Sequence, residues 1–254
     1  MPDLLRKSLD CGVTVYAKGP PFELGPLPSL IYFSLSGPDT LALDPFNQPV
    51  AFLESDHVRI FSFSLPFHDE YDKREVIKVW IANIQEGNNF ITPFVRQIQK
   101  AVDELIETDV IDPEFCAVGG LSRGSFIATH LAAIEPRIRA LLGFAPLTKL
   151  SVSSSFQEIH GSTLLDQLNL GSLKEELVKR AVRFYIGNRD TMVQTTACYE
   201  FVRELTDYAY DQGIRSPQVE LMITPSIGHK GHGTSPESFR DGANWIKTQL
   251  GLTK

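Results

Sequence analysis

The stretch GGLSRGSF, residues 119–126, places a serine between glycines at the end of an apolar run. The GxSxG pattern inside it also arises by chance in unrelated chains, so the flanking residues decide its meaning. The run EFCAVGG (114–120) predicts a buried strand, and SFIATHLAAIE (125–135) predicts a helix. Ser122 is therefore expected at a tight turn from a strand into a helix.

A serine at such a turn is well placed to act as a nucleophile. Gly120 and Gly124 are small enough to let the strand and the helix approach each other, and the turn exposes the hydroxyl of Ser122. The first N–H groups of the helix have no partner within it and lie where an oxyanion would form, and Arg123 supplies the first of them. A plainer interpretation is that Ser122 only caps the helix.

The rest of the chain alternates between β-rich runs and amphipathic helices. Helical patterns at 91–109 and 235–250 have Thr92 and Ser235 as expected caps, each followed by a proline. Such alternation requires crossover connections and predicts an α/β fold with a mainly parallel central sheet flanked by helices. The runs that predict strands are 12–18, 28–36, 57–65, 114–120, 137–145, 181–188 and 218–224.

Length and composition indicate one domain. A chain of 254 residues that is 43% hydrophobic can bury one large core, so we expect a single domain over residues 1–254. The segment 147–180 is the least strand-like part and predicts a short helical insertion, a minimal cap, within that domain. A formal net charge of -7 provides no basic field for phosphates, so we expect neither nucleic acid nor membrane as a partner.

Cysteine content and the N-terminal residues indicate the cellular setting. The three cysteines, Cys11, Cys116 and Cys198, match neither a disulfide framework nor a zinc pattern. The stretch MPDLLRKSLDCG lacks an apolar signal core, and no run is long enough to predict a membrane span. We therefore expect a cytoplasmic protein. The sequence carries no signal of the oligomeric state.

A serine hydroxyl becomes nucleophilic only beside a base, which an acid orients in turn. The turn GNRDTMV follows a predicted strand and contains Asp190, and the loop PSIGHKGHG before the last helix contains His229 and His232. Serine, aspartate and histidine thus follow separate strands in the order that such chemistry requires. Each also has a plainer interpretation: Asp190 can cap the next helix, and either histidine can bond to loop carbonyls.

These motifs together resemble those of the α/β-hydrolase superfamily over nearly the whole chain. HVRIFSFSLPFHDE (57–70) resembles the strand and loop that often read DLPGHG, DPEFCAVGGLSRGSF (112–126) resembles the nucleophile elbow, and RFYIGNRDTMV (183–193) resembles the acid turn. VELMITPSIGHKG (219–231) is similar to the histidine segment of the dienelactone-hydrolase and small-esterase branch. An alignment with that branch without gaps places the catalytic histidine on His229.

The resemblance implies a three-layer α/β-hydrolase fold and a carboxylesterase-like serine hydrolase that needs neither a metal nor another cofactor. Its substrate would be a small molecule with an ester, thioester or related acyl bond. Ser122 would be the nucleophile, His229 the general base and then acid, and Asp190 the residue that orients the imidazole.

The oxyanion hole departs from the superfamily pattern. The first oxyanion loop usually carries His-Gly, whereas IYFSLSGPD (31–39) occupies that position here. We expect the backbone N–H groups of Arg123 and of Leu35 or Ser36 to bind the oxyanion.

Several alternatives remain open. The chain is either an enzyme or a hydrolase relative that has lost its chemistry and binds a small molecule or a protein partner. A peptidase is a third class, although peptidases usually bring an extra domain. Arg123 either meets an anionic substrate group or caps neighbouring carbonyls. Four leucines of the insertion either line an acyl pocket or pack onto the core: Leu164, Leu165, Leu168 and Leu170.

Overall fold

A computed structural model describes residues 4–54, 57–159 and 161–252, and in these ranges eight strands form one sheet. Their order across the sheet is β1-β2-β4-β3-β5-β6-β7-β8. In chain order the strands are β1 (Leu5–Ser8), β2 (Thr14–Lys18), β3 (Leu27–Phe33), β4 (Arg59–Ser62), β5 (Ile111–Leu121), β6 (Ile138–Phe144), β7 (Ala181–Gly187) and β8 (Val219–Thr224).

Strands β3 to β8 run parallel to one another, and β1 and β2 join them antiparallel at one edge. The prediction of a mainly parallel sheet is therefore confirmed, and β2 to β8 correspond to the seven predicted strands. Strand β1 was not expected, because it is short, half exposed and, after Leu5, entirely polar. Its pairing with β2, rather than burial of its own side chains, places it in the sheet.

Helices cover both faces of the sheet, so the architecture has three layers. Helices α1, α2 and α9 pack on one face, and the larger core on the other face includes residues of α3, α4, α5 and α8. No helix among the described residues has both the length and the apolar character needed to span a bilayer. The helices are α1 (Gly37–Ala42), α2 (Gln48–Leu53), α3 (Glu75–Gln85), α4 (Ile91–Glu107), α5 (Arg123–Ile134), α6 (Thr163–Gln167), α7 (Lys174–Leu177), α8 (Thr195–Asp211) and α9 (Pro236–Gln249).

Of the two predicted helix caps, Ser235 is confirmed and Thr92 is wrong. Ser235 caps α9, since its hydroxyl accepts the N–H of Ser238 at 3.2 Å. Thr92 does not cap α4, because that helix already begins at Ile91. The side chain of Asn89 accepts the N–H of Thr92 at 3.0 Å, so the polar contact at this helix start comes from an earlier residue.

The segment 147–180 consists of short helical pieces. It contains α6, α7 and the 3₁₀ turns Leu150–Val152, Gln157–Ile159 and Leu170–Leu173. The four leucines that were candidates for an acyl pocket are all buried in the core on the α5 side of the sheet: Leu164, Leu165, Leu168 and Leu170. They therefore pack this segment onto the body of the protein.

Two glycines bring α5 into contact with the sheet. A Cβ atom on Gly124 would lie 2.0 Å from the carbonyl oxygen of Phe33 in β3, and one on Gly120 would lie 2.2 Å from the carbonyl carbon of Gly124. Both neighbours are backbone atoms, which cannot rotate away. The turn at the end of β5 therefore requires glycine at these positions, as the sequence predicted.

Replacing Gly124 by alanine should lower the free energy of unfolding by about 1–3 kcal/mol or more, because the added methyl overlaps the backbone of β3. Urea denaturation of the variant measures this loss. Gly171→Ala is the matched control, since a Cβ atom there would meet only side-chain oxygens, the nearest being Oε2 of Glu204 at 3.1 Å. Equal stability of the two variants would contradict the tight approach of α5 to the sheet.

Candidate active site

Ser122 lies at a strained turn between β5 and α5. Its φ and ψ are 56° and -116°, in a region that side-chain-bearing residues rarely adopt. Its N–H donates to the carbonyl of Phe144 at 2.8 Å, which fixes the turn against β6. The side chain makes no capping hydrogen bond to α5. The structure therefore does not support the interpretation of Ser122 as a helix cap.

The imidazole of His232 lies between the serine and an aspartate. Its Nε2 atom is 2.9 Å from Oγ of Ser122, and its Nδ1 atom is 2.6 Å from Oδ2 of Asp190. Because a carboxylate only accepts, Nδ1–H donates to Asp190, which leaves the Nε2 lone pair free to accept the serine proton. Three side chains that are far apart in the sequence thus form one continuous hydrogen-bonded chain.

The histidine in this chain is not the one that the alignment without gaps selected. His229 is exposed and lies in the wall of the adjacent cavity, and His232 makes both contacts. The prediction of His229 is therefore corrected to His232. Both histidines were candidates on the residues alone.

The geometry of the loop after β8 explains the difference. Gly228, Lys230 and Gly231 have positive φ values, so the loop coils instead of continuing straight from the strand. The carbonyl of Lys230 accepts the N–H of Thr191 at 2.9 Å, and this contact ties the coil to the turn that contains the aspartate. Because the loop coils, His232 contacts Asp190 in the turn after β7, whereas His229 is exposed.

Asp190 is held rigidly in the turn after β7. The side chain is buried, and its Oδ1 atom accepts the N–H groups of Met192 at 2.8 Å and Val193 at 3.0 Å. Its own N–H donates to Oγ1 of Thr195 at 2.9 Å. The carboxylate does bond to following backbone N–H groups, as a cap would, but only through Oδ1. Oδ2 is left for His232. The two N–H groups belong to the turn before α8, whose N-cap residue is Gln194, so Asp190 does not cap that helix.

Comparison with known proteins shows what this architecture is similar to. No family model matches the sequence, and no curated protein matches it either. Solved structures do match. The protein TT1662 from Thermus thermophilus superposes with a TM-score of 0.68 at 17% identity, with 98% of both chains covered.

Two further solved structures that match carry the names of hydrolases. A protein from Klebsiella pneumoniae that is described as a dienelactone hydrolase superposes with a TM-score of 0.66 at 14% identity, with 99% of each chain covered. The esterase Pf2001 from Pyrococcus furiosus superposes with a TM-score of 0.64 at 15% identity, with 97% of this chain and 89% of the esterase covered. The chain has the α/β-hydrolase fold. At these identities the likeness establishes the fold, and the predicted superfamily resemblance is confirmed at that level.

Of the backbone N–H groups predicted to bind an oxyanion in this α/β-hydrolase fold, that of Arg123 is unpaired within its helix and that of Leu35 is paired. Arg123 is the first residue of α5, so its N–H has no partner within the helix and points out of the helix start. The N–H of Leu35, in contrast, donates to Oγ1 of Thr40 at 2.9 Å. Ser36 caps α1 by accepting the N–H of Asp39 at 3.2 Å, and this early helix start brings Thr40 back over Leu35. The predicted donor Leu35 is therefore already paired.

A cavity of about 610 Å³ opens beside Ser122, within the range of small-molecule sites. Most of its wall is apolar, and the segment 147–180 contributes Phe156 and part of the rim. Within the ranges that the structure describes, no three His, Cys, Asp or Glu side chains are grouped so that they could hold a metal ion. The apolar wall is formed by Leu35, Phe46, Ile77, Leu121, Leu147, Phe156, Met192 and Val193.

Separate alanine variants of the two histidines should behave differently. We expect His232→Ala to lower kcat for an activated ester by about 10³-fold or more, because the serine loses its base. We expect His229→Ala, the matched control three residues away, to keep most of the activity, because that side chain only lines the cavity. Hydrolysis of 4-nitrophenyl acetate measures both. A loss confined to His229→Ala would contradict the geometry.

Proposed function

We propose that the protein is a serine hydrolase that cleaves an ester, thioester or related acyl bond of a small molecule. Ser122 is the nucleophile, His232 the general base and then acid, and Asp190 the residue that orients the imidazole and balances its charge. The observation that carries this proposal is the chain of hydrogen bonds at 2.9 Å and 2.6 Å that joins the three side chains. The cavity of about 610 Å³ beside the serine gives a substrate access.

The reaction follows from these contacts. Oγ of Ser122 attacks the carbonyl carbon while its proton passes to Nε2 of His232, and the carbonyl oxygen becomes an oxyanion. The tetrahedral intermediate collapses when the same proton moves from Nε2 to the leaving group. Water then attacks the acyl-enzyme with His232 again as base, which releases the acid and regenerates the serine. These steps need no cofactor.

The backbone supplies the stabilisation of the oxyanion. The N–H of Arg123 at the start of α5 is one donor, and the positive end of the helix dipole adds to it. A second donor has to come from the loop after β3. An oxyanion would compete there with Thr40 for the N–H of Leu35, and the N–H of Ser36 is the alternative donor.

The paired N–H of Leu35 also supports a second candidate function. A protein of this fold with an incomplete oxyanion hole would bind a small molecule or a protein partner in the cavity and turn it over slowly or not at all. The intact hydrogen-bonded chain favours the hydrolase, because a binding module has no need of an oriented base.

A fluorophosphonate probe distinguishes the two candidates. We expect one probe molecule to be attached to the wild-type protein, at Ser122, because the probe reacts only with an activated serine. Intact-mass spectrometry followed by peptide mapping measures the adduct. Ser122→Ala should not be labelled.

Ser155→Ala is the matched control, since Ser155 lines the same cavity. We expect this variant to be labelled as fully as the wild type. Absence of labelling in the wild type would reject the hydrolase in favour of the binding module. Loss of labelling in Ser155→Ala with retention in Ser122→Ala would place the nucleophile elsewhere.

A substrate series then resolves the class of bond. Short-chain and long-chain 4-nitrophenyl esters compare acyl lengths, and aminoacyl amides test for a peptidase. We expect the esters to be hydrolysed and the amides to be poor substrates, because resonance stabilises an amide carbonyl and an amine leaves less readily than a nitrophenolate. Faster turnover of amides than of esters would favour a peptidase.

A further inference from the structure

An arginine that has no counter-ion among the described residues lies in the wall of the cavity beside the serine. The guanidinium of Arg123 lies over the ring of Trp80, 5.6 Å from the ring centroid. Its Nη1 atom is buried and has no hydrogen-bond partner among the described residues. Burial lowers the pKa of Arg123 to about 10, so the side chain is still positively charged at neutral pH. A charge that is removed from water is normally paired with an opposite charge or with hydrogen-bond partners.

Arg59 shows how a fully buried arginine of the same chain is paired. Arg59 is fully buried and donates to the carbonyl oxygens of Pro20 and Gly25, both at 2.9 Å, and of Pro21 at 2.5 Å. Its guanidinium is therefore satisfied by the backbone. Arg123 does not cap neighbouring carbonyls with Nη1, which was the other interpretation of this residue.

The groups near Arg123 do not neutralise it. Burial and, to a smaller extent, the charge of Arg123 lower the pKa of His68 to about 4, so this imidazole is neutral at neutral pH. Nδ1–H of His68 is directed at the carbonyl of Pro66 at 3.2 Å, which leaves Nε2 as a buried acceptor with no partner in the described part of the chain. The nearby carboxylate of Asp69 accepts the hydroxyl of Ser64 at 2.6 Å.

The remaining charges of the cavity have the same sign as Arg123. Lys73 and Arg74 lie at its rim, and none of the described residues that line it is aspartate or glutamate. Asp72 and Glu75 are sequence neighbours of this rim but do not line the cavity, and both are exposed. The cavity is therefore cationic in a protein whose formal net charge is -7.

We infer that the substrate carries a carboxylate and that Arg123 binds it while Ser122 attacks the ester. This inference rests on the proposed function and specifies its substrate class. A guanidinium presents a planar fork of N–H donors that matches a carboxylate, and Arg123 lines the cavity with its guanidinium beside the ring of Trp80. Because Arg123 directly follows the nucleophile, the carboxylate and the scissile bond occupy the same cavity.

Paired esters with and without a carboxylate test this inference, with each rate divided by the rate of uncatalysed hydrolysis of the same ester. Mono-4-nitrophenyl adipate against 4-nitrophenyl heptanoate places the carboxylate on the acyl group, and 4-acetoxybenzoate against its methyl ester places it on the leaving group. In at least one pair we expect the wild type to favour the anionic ester in kcat/KM by about tenfold or more, the usual size of a hydrogen bond to a charged group. The pair that responds identifies the position of the carboxylate.

Substitutions of Arg123 link the preference to this side chain. Arg123→Met keeps an apolar stem over Trp80 and should reduce the preference about tenfold to a hundredfold, and Arg123→Lys should keep part of it. Arg96→Met removes an exposed arginine that lies outside the cavity and should leave the preference unchanged. Thermal unfolding of each variant verifies that it is folded. A preference that is absent in the wild type, or that persists in Arg123→Met, would overturn the inference.

Binding measured without turnover separates this inference from the proposed function. Calorimetry should show that adipate binds the wild type at least about tenfold more tightly than the neutral adipamide, and that Arg123→Met removes the difference. Equal binding of adipate and adipamide to a protein that the fluorophosphonate probe labels would overturn the anion site and leave the hydrolase standing. Selective adipate binding to a protein that the probe does not label would keep the anion site and reject the hydrolase.

Discussion

The position of one imidazole determines whether this molecule has an active site. His232 contacts Ser122 with one ring nitrogen and Asp190 with the other, and the three residues follow β8, β5 and β7. Parallel strands make this meeting possible, because their carboxyl ends all lie along one edge of the sheet. Order across the sheet matters as well. Strands β5, β6, β7 and β8 are consecutive neighbours, so the loops that follow them converge on one region.

The turn that exposes Ser122 requires a strained backbone conformation. A residue with a side chain at φ 56° and ψ -116° is strained, and such strain persists only where the surroundings over-determine the turn. Here β5 lies in the middle of the sheet, and helix α5 is buried along most of its length. The close approach at Gly120 and Gly124 allows that burial. Arg123 adds a second cost, a half-buried cation in the first turn of a helix, where the dipole disfavours positive charge.

Periodicity and motif order predicted most of this arrangement. Buried parallel strands are continuous apolar runs and helices show a clear stripe, so seven strands, both faces of the sheet and the turns with Ser122 and Asp190 were recognisable. Strand β1 was not, because its place depends on pairing with β2 and not on its own side chains.

The choice between His229 and His232 depends on the backbone angles of three residues in the loop, Gly228, Lys230 and Gly231. Lys230 has a positive φ although it is not a glycine, which no sequence pattern would indicate. The contact between Leu35 and Thr40 was equally hidden, since it depends on α1 beginning directly after β3. Both differences arise in loops, where tertiary contacts override local preference.

Proton NMR of the imidazole N–H tests the central contact most directly. A short hydrogen bond from Nδ1–H of His232 to Asp190 should give a resonance far downfield of the amide region in the wild type and in His229→Ala. The resonance should be absent from His232→Ala and from Asp190→Ala. A resonance that disappears in His229→Ala and survives in His232→Ala, or one that does not respond to Asp190→Ala, would contradict the account.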